Sequence, residues 1–235
     1  MRLNRFFGKF DLSKKQLVIN DSDFFNQIKN VLRLKVGDSL ILCDGQNGEA
    51  EVVLKDFGKN SVEVEIVSFS NNTKESLNKI SLYCAILKRE NFELVVQKAT
   101  EIGVFRIIPL ITKRTVKLSL KKERLWTIAK EAAEQSGRGI IPEIASPMEF
   151  SDAVKDADNL DAQIMFDLSD LSASNNILNK AQTIGIFIGS EGGWDEQEIL
   201  LAKKSGFLFM NLGSFVLRAE TAAIVAVYKT IHLED

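Results

Sequence analysis

The 235-residue sequence predicts an α/β protein in two parts, a small N-terminal β-barrel followed by a larger domain of alternating strands and helices. Three observations lead there. The first 69 residues run as short apolar segments broken by D-G and N-G turn signals. A polar, unpatterned stretch, Asn71–Ser76, interrupts that rhythm and marks a boundary, giving domains over residues 1–72 and 76–235. From Lys79 onward, apolar runs of strand length alternate with amphipathic segments of helical period, the signature of an α/β domain.

In the first part, Arg2–Phe10 and Lys15–Ile19 read as extended. Asp21 and Ser22 then cap a helix over Asp23–Leu34, in which Phe24, Ile28, Val31 and Leu32 share one face. Strands over Ser39–Cys43, Glu49–Leu54 and Ser61–Phe69 follow, separated by Asp44–Gly48 and by a turn at Gly58-Lys59-Asn60.

The second part opens with a strand at Ile80–Ala85 and a helix at Asn91–Ile102 that Gly103 stops. Strand Ile107–Leu110 leads into Thr112-Lys113-Arg114-Thr115, which leaves a carboxyl strand end and so carries Arg114 toward the presumed active edge. Glu123–Ser136 is an amphipathic helix that buries Leu125, Ile128, Ala129, Ala132 and Ala133 and stops at Gly137-Arg138-Gly139. A connection from Pro142 leads to a short helix, Asp152–Ala157, a strand, Ala162–Asp167, a Ser/Asn-rich loop, Leu168–Asn176, and a short helix, Ile177–Gln182.

The stretch Ile184–Thr221 carries the chemistry. Ile184–Gly189 reads as a buried, parallel strand, and Ser190-Glu191-Gly192-Gly193 follows, where adjacent glycines permit positive φ and expose backbone N–H groups to a ligand. Asp195 caps the next helix, Glu196 and Glu198 sit at its positive end, Lys203 and Lys204 in its last turn, and Gly206 supplies the stop. A second strand, Phe207–Leu212, enters a second loop, Gly213–Arg218, and a last helix starts near Ala219. Loops that leave the carboxyl ends of neighbouring parallel strands converge, so Glu191-Gly192-Gly193 and Leu217–Thr221 should line one crevice. Neither G-x-G-x-x-G nor G-x-x-x-x-G-K-[ST] is present, and Glu191 would repel a polyphosphate. A cationic or hydroxyl-rich small molecule fits better. By the residues alone, Gly192-Gly193 is also consistent with a tight turn and Glu191 with a solvated loop residue.

Composition narrows the field. The apolar runs fall short of a membrane span, and the basic start, MRLNRFFGKF, lacks the apolar stretch of a signal peptide, so a cytoplasmic location is expected. Cys43 and Cys84 are far apart and the one histidine, His232, is near the end, so neither a disulfide framework nor a metal site is expected. The net charge of −2 hides a gradient: residues 73–145 hold 14 Lys/Arg against 8 Asp/Glu, and residues 146–235 hold 6 against 14. A basic middle can contact phosphates while an acidic end holds a cation, although the middle is equally consistent with a solvated, lysine-rich surface.

The motif IGSEGGWDEQEI, followed after a strand by NLGSFVLRAETAA, resembles the paired I-G-P-E-G-G and L-G-x-x-[IV]-L-R-x-E-T-A motifs of the RsmE family, the bacterial 16S ribosomal RNA uridine-N3 methyltransferases of the SPOUT superfamily. The resemblance extends over nearly the whole chain. Val31-Leu32-Arg33 with Val36-Gly37-Asp38 is similar to a motif of the family's PUA-like RNA-binding barrel. Lys88, Arg89, Glu90, Gln97, Lys98, Glu101 and Gly103 match its K-x-x-x…Q-K-x-x-E-L-G pattern, and Glu131–Arg138 its A-x-E-Q-[CS]-x-R block. Two positions depart: Ser190 replaces the usual Pro, a rigid turn former, and Ser214-Phe215 replace Pro-Arg, removing a cation.

The resemblance implies a trefoil-knotted domain that binds S-adenosylmethionine through Gly189, Glu191, Gly192, Gly193, Leu212, Gly213, Leu217, Ala219 and Thr221, and that works as a homodimer. Arg218 or Arg114 would stabilise negative charge on the uracil oxygens, with Glu220 orienting the arginine or capping the last helix. No residue is assigned as the proton acceptor. Arg5, Arg33, Glu134, Gln135 and Arg138 would meet 16S ribosomal RNA within the small subunit. Taken as residues only, Arg33 can equally snorkel over the barrel, Arg138 can cap its helix, and the apolar face of the last helix, Ile224, Val225, Val227 and Tyr228, can be core or dimer contact. Another SPOUT methyltransferase specificity and a non-catalytic RNA-binding assembly factor remain as alternative readings.

Overall fold

The computed structural model of the chain describes residues 3–115, 119–168 and 178–232. It divides into two compact units, Met1–Glu75 with Ala133–Ile140, and Ser76–Ala132 with Ile141–Asp235. The short segment Ala133–Ile140, expected to close a helix of the second domain, thus belongs with the first.

In the first unit, strands β1 (Arg5–Phe7), β2 (Gln16–Ile19), β3 (Ser39–Cys43), β4 (Gly48–Phe57) and β5 (Val62–Asn71) form one sheet in the order β1-β3-β4-β5-β2. β1 and β2 are its two edges, so the small barrel expected here is an open half-barrel. Shifts of register in β4 between Glu51 and Val52 and between Leu54 and Asp56 bend it. Alternation of side chains along β4 sends Ala50, Val52 and Leu54 into a core shared with Leu40, Leu42, Val62 and Val64. Helix α1 (Ser22–Asn26) begins at Asp21, whose Oδ1 accepts from the Asp23 and Phe24 N–H groups at 2.9 Å each. It drops Phe24 onto the same core. The expected helix continues as a π-helical segment, Gln27–Val31, and the chain then reverses at Arg33, which holds a φ of 56°.

The second unit contains β6 (Lys79–Ala85), α2 (Arg89–Ile102), β7 (Arg106–Ile111), most of α3 (Lys122–Ser136), β8 (Glu143–Ile144), β9 (Met148–Glu149), α4 (Phe150–Ala157), β10 (Ala162–Phe166), β11 (Thr183–Ile188), α5 (Glu196–Lys204), β12 (Leu208–Met210) and α6 (Ala219–Ile231). Its sheet runs β12-β10-β11-β6-β7-β8, with β9 also on β7, and every pairing is parallel. Being buried on both faces explains why its strands read as unbroken apolar runs. Alternate residues of each strand face opposite layers. Ile80, Leu82, Ile184 and Ile186 meet α2, α3 and α6. Tyr83, Met165 and Phe187 meet α4 and α5, with the Tyr83 and Phe187 rings stacked 4.3 Å apart.

Helix ends fall where the sequence places them. Gly103, Gly137 and Gly206 take φ values of 118°, 84° and 78° just past α2, α3 and α5, a region glycine enters without steric cost. Leu178–Lys180 forms a single 3₁₀ turn within the expected helix, while all but Leu168 of the expected loop Leu168–Asn176 lies outside the described residues, as does Arg2. The strand neighbours, by contrast, differ from expectation. β11 and β12, which feed the two glycine loops, are not adjacent, because β10 lies between them and pairs with both. Among the described residues, no helix is long and apolar enough to cross a membrane.

Candidate active crevice

The glycine loops still converge. At the carboxyl ends of β6, β10, β11 and β12 lies a crevice of ≈ 890 Å³. The order of connections reverses at these strands, which is where ligands enter open parallel sheets. Of the residues assigned above to the small-molecule site, Gly189, Glu191, Gly192, Gly193, Leu212, Gly213, Leu217 and Ala219 all line it, with Arg218 and Glu220 beside them. Thr221 does not; its position in the first turn of α6 turns it out to solvent.

The first loop is a closed turn. The Gly193 N–H donates to the Ser190 carbonyl at 2.8 Å, and Gly193 reaches it with a φ of 70°. The Ser190 hydroxyl donates to the Arg114 carbonyl at 3.4 Å, so serine ties down a position where proline would have supplied rigidity. Gly189 is there for a different reason. A Cβ on it would stand 3.2 Å from the Trp194 indole, which is buried beneath the loop with its Nε1–H donating to the Phe166 carbonyl at 3.0 Å. Behind the loop, α5 starts with a reciprocal cap: Asp195 accepts from Gln197 N–H at 3.1 Å, and Glu198 accepts from Asp195 N–H at 2.9 Å. The backbone N–H of Gln197, followed by Lys113, holds the Asp195 carboxyl below its usual range.

Arg114 does reach this edge. Its Nη1 donates to the Gly192 carbonyl at 2.6 Å, and the Lys113 N–H donates to buried Glu198 at 2.9 Å, so the turn after β7 is bonded directly to the glycine loop. Arg218, the residue before α6, is exposed and makes no side-chain cap. Glu220 is neither bonded to it nor a cap, contrary to expectation: it is 8% exposed and its Oε2 has no hydrogen-bond partner among the described residues. Beneath the crevice, burial holds the Cys84 thiol far above its ordinary range, and the charges of Glu191 and Glu220 add to that.

Two stretches of the lining escaped the sequence reading as parts of the site. Ile86, Lys88 and Asn91 come from the end of β6 and the start of α2, and Phe166-Asp167-Leu168 from the end of β10. Lys88 entered the sequence reading only as part of the family's K-x-x-x…Q-K pattern. The pre-helix position of Lys88 was a usable signal; the insertion of β10 beside β11 was not.

The residues assigned to RNA split into two groups. Arg33 and Gln135 are exposed. Arg5, Glu134 and Arg138 are not presented to a phosphate at all, because the first unit uses them internally. Arg5 pairs with Glu49 and donates to the Arg138 carbonyl at 3.2 Å; Arg138 pairs with Glu75 at 2.7 Å; Glu134 accepts from the Phe7 N–H at 2.9 Å. Both arginine side chains are only 6% exposed.

A half-barrel unit joined to a parallel α/β unit with a crevice at its strand ends is the build of an RNA methyltransferase. The RNA methyltransferase domain model matches residues 73–230, and the RNA methyltransferase PUA domain model matches residues 25–67. Ribosomal RNA small subunit methyltransferase E of Rickettsia conorii is 34% identical over 97% of this chain and 94% of its own, and that of Mesomycoplasma hyopneumoniae is 39% identical over 88% and 90%. The crystal structure of a ribosomal RNA small subunit methyltransferase E from Neisseria gonorrhoeae bound to S-adenosyl methionine superposes with a TM-score of 0.91 at 27% identity, covering 99% of this chain and 98% of that one. A methyltransferase of Legionella pneumophila in complex with the same cofactor gives 0.88 at 31% identity, with the same coverage. The chain belongs to the ribosomal RNA small subunit methyltransferase E family.

Proposed function

We propose that this protein uses S-adenosylmethionine to methylate N3 of a specific uridine in 16S ribosomal RNA of the small subunit. The observation that carries this reading is the crevice itself, where two glycine-bearing loops expose backbone groups around the buried Glu220, whose Oε2 has no partner among the described residues. Such a lining suits a ligand with a sulfonium, a ribose diol and an adenine. Gly189–Gly193 and Leu212–Ala219 would hold it, with Phe166, Ile188 and Val216 offering apolar contact to the base. The bound donor supplies a methyl group on positively charged sulphur, with a neutral thioether as leaving group.

What remains for the chain is alignment and charge. Uracil N3 carries a weakly acidic proton, so the reaction gains from groups that favour the anion. Arg218 has no competing partner among the described residues and stands at the crevice, so it is assigned to the uracil oxygens. Arg114 is assigned a positioning role, fixing Gly192. N3 lies on the Watson–Crick edge, so the target must be unpaired or splayed out, which suits a separate RNA-docking unit that presents Arg33 and Gln135. We further assign the β11-to-α6 segment to a trefoil knot, on the resemblance of its motifs, and the exposed Val225 and Tyr228 of α6 to a homodimer contact. Its place of work is the cytoplasm, where ribosomal RNA is modified.

Arg218→Ala tests the reading. With folding unchanged, kcat is expected to fall at least about tenfold; survival within about threefold would remove Arg218 from the transition state. The product is scored as a cofactor-dependent stop of reverse transcription on 16S ribosomal RNA, since N3-methylation abolishes pairing.

A further inference from the structure

Glu220 is held in an arrangement that protein interiors avoid. It is 8% exposed, lines the crevice, and leaves its Oε2 closed to solvent with no hydrogen bond from any described residue. Taking a carboxylate out of water without a partner is costly, and the N-terminal turn of α6 offsets only part of that cost. The other charged residues of the crevice leave no surplus cation for it: Asp167 and Glu191 line it with Lys88 and Arg218, two acids to two bases, and Cys84 below is held in its neutral form first by burial and then by Glu191 and Glu220. A carboxylate oxygen closed to solvent and without a partner among the described residues suits a ligand that brings the missing positive charge.

We propose that Glu220 is the specificity-determining counter-charge for the sulfonium of the methyl donor, so that the crevice distinguishes the cationic donor from its neutral thioether product. The inference rests on the reading of this crevice as the methyl-donor site. Recognition of an adenine amine or a ribose hydroxyl by the same carboxylate would serve donor and product alike, because the two differ at sulphur alone. Charge recognition does not, and it weakens the grip on the crevice's occupant once the methyl has left.

The test is calorimetric titration of the full chain with S-adenosylmethionine and with S-adenosylhomocysteine, for wild type, Glu220→Gln and Glu220→Asp. The Gln variant is expected to lose at least about tenfold in affinity for the donor while its affinity for the thioether stays within about threefold. The Asp variant keeps the wild-type ratio of the two affinities. Without ligand, the Gln variant melts at or above wild type, by up to a few degrees, because a neutral amide replaces an unpartnered charge. Equal weakening of both ligands, no weakening of either, or an Asp ratio as low as that of Gln overturns the proposal. So does a Gln variant that melts well below wild type or does not fold, which would mean that the carboxylate has a structural partner. A wild-type protein that takes up neither ligand would instead defeat the methyl-donor reading.

Discussion

Cys43 is fully buried in the first unit, within 3.3 Å of the Arg5 guanidinium. Burial pushes its thiol up to about 11, with the Arg5 charge pulling the other way. A folded-state value above the unfolded one of 9.0 means that the native protein binds more protons between the two. The stabilisation from the neutral thiol is therefore complete below about pH 9 and is lost as pH rises toward 11, a contribution of about 2–3 kcal/mol. Urea midpoints at pH 8, 9.5 and 10.5 should fall more steeply for wild type than for Cys43→Ala, and equal slopes would show that the thiol ionises as freely as in the unfolded chain. The same burial makes Cys43 inert, so native protein at pH 8 should resist iodoacetamide at this position until denatured. Glycines show the other face of the residue scale. Gly193 is needed for its φ and Gly189 for the approach of Trp194, and only the first need was visible in a G-G pair.

Among the elements, α5 shows how one side chain can serve two structures. Glu198 is 7% exposed and accepts from the Asp195 N–H, closing the cap, and from the Lys113 N–H, securing the turn that carries Arg114 to Gly192. Glu198→Ala strips both N–H groups of their acceptor and is expected to cost about 2–4 kcal/mol in urea denaturation. Because the glycine loop loses its link to the turn after β7, donor affinity measured by calorimetry should fall several-fold as well. A loss of stability with unaltered affinity would mean that the loop holds its shape without that link. The sequence showed Asp195 as the cap and Glu198 only as an anion at the positive end of the helix, and a partner 85 residues away leaves no local pattern.

For the molecule as a whole, the decisive pairing is Glu75 with Arg138, 63 residues apart. Glu75 accepts from the Arg138 guanidinium and from the Gly139 N–H at 2.9 Å, holding the segment after α3 within the first unit. Glu75→Ala removes this carboxylate from a buried guanidinium, with an expected loss of about 3–5 kcal/mol, whereas Glu75→Ala with Arg138→Met should recover part of it. Both tryptophans, Trp126 and Trp194, are in the second unit, so their fluorescence reports that unit alone. In Glu75→Ala, the urea transition followed by circular dichroism should begin before the fluorescence transition. Coincident curves would mean that the lesion is felt equally by both units.

The sequence by itself determined what local physics decides. Apolar runs and helical periods gave the two parts and nearly every helix and strand, glycine and capping patterns gave the ends of α2, α3 and α5, and the two glycine loops gave most of the crevice. Only the tertiary structure decided which strands are neighbours, that β10 adds Phe166 and Asp167 to the lining, that Arg5 and Arg138 are spent on internal pairs, and that the Glu220 Oε2 is closed off without a partner among the described residues. The reason is one of range. Helix caps, turns and alternation are set by hydrogen bonds and side-chain directions a few residues apart, whereas strand order and the burial of charge depend on which distant groups meet, and on whether a compensating partner is among them.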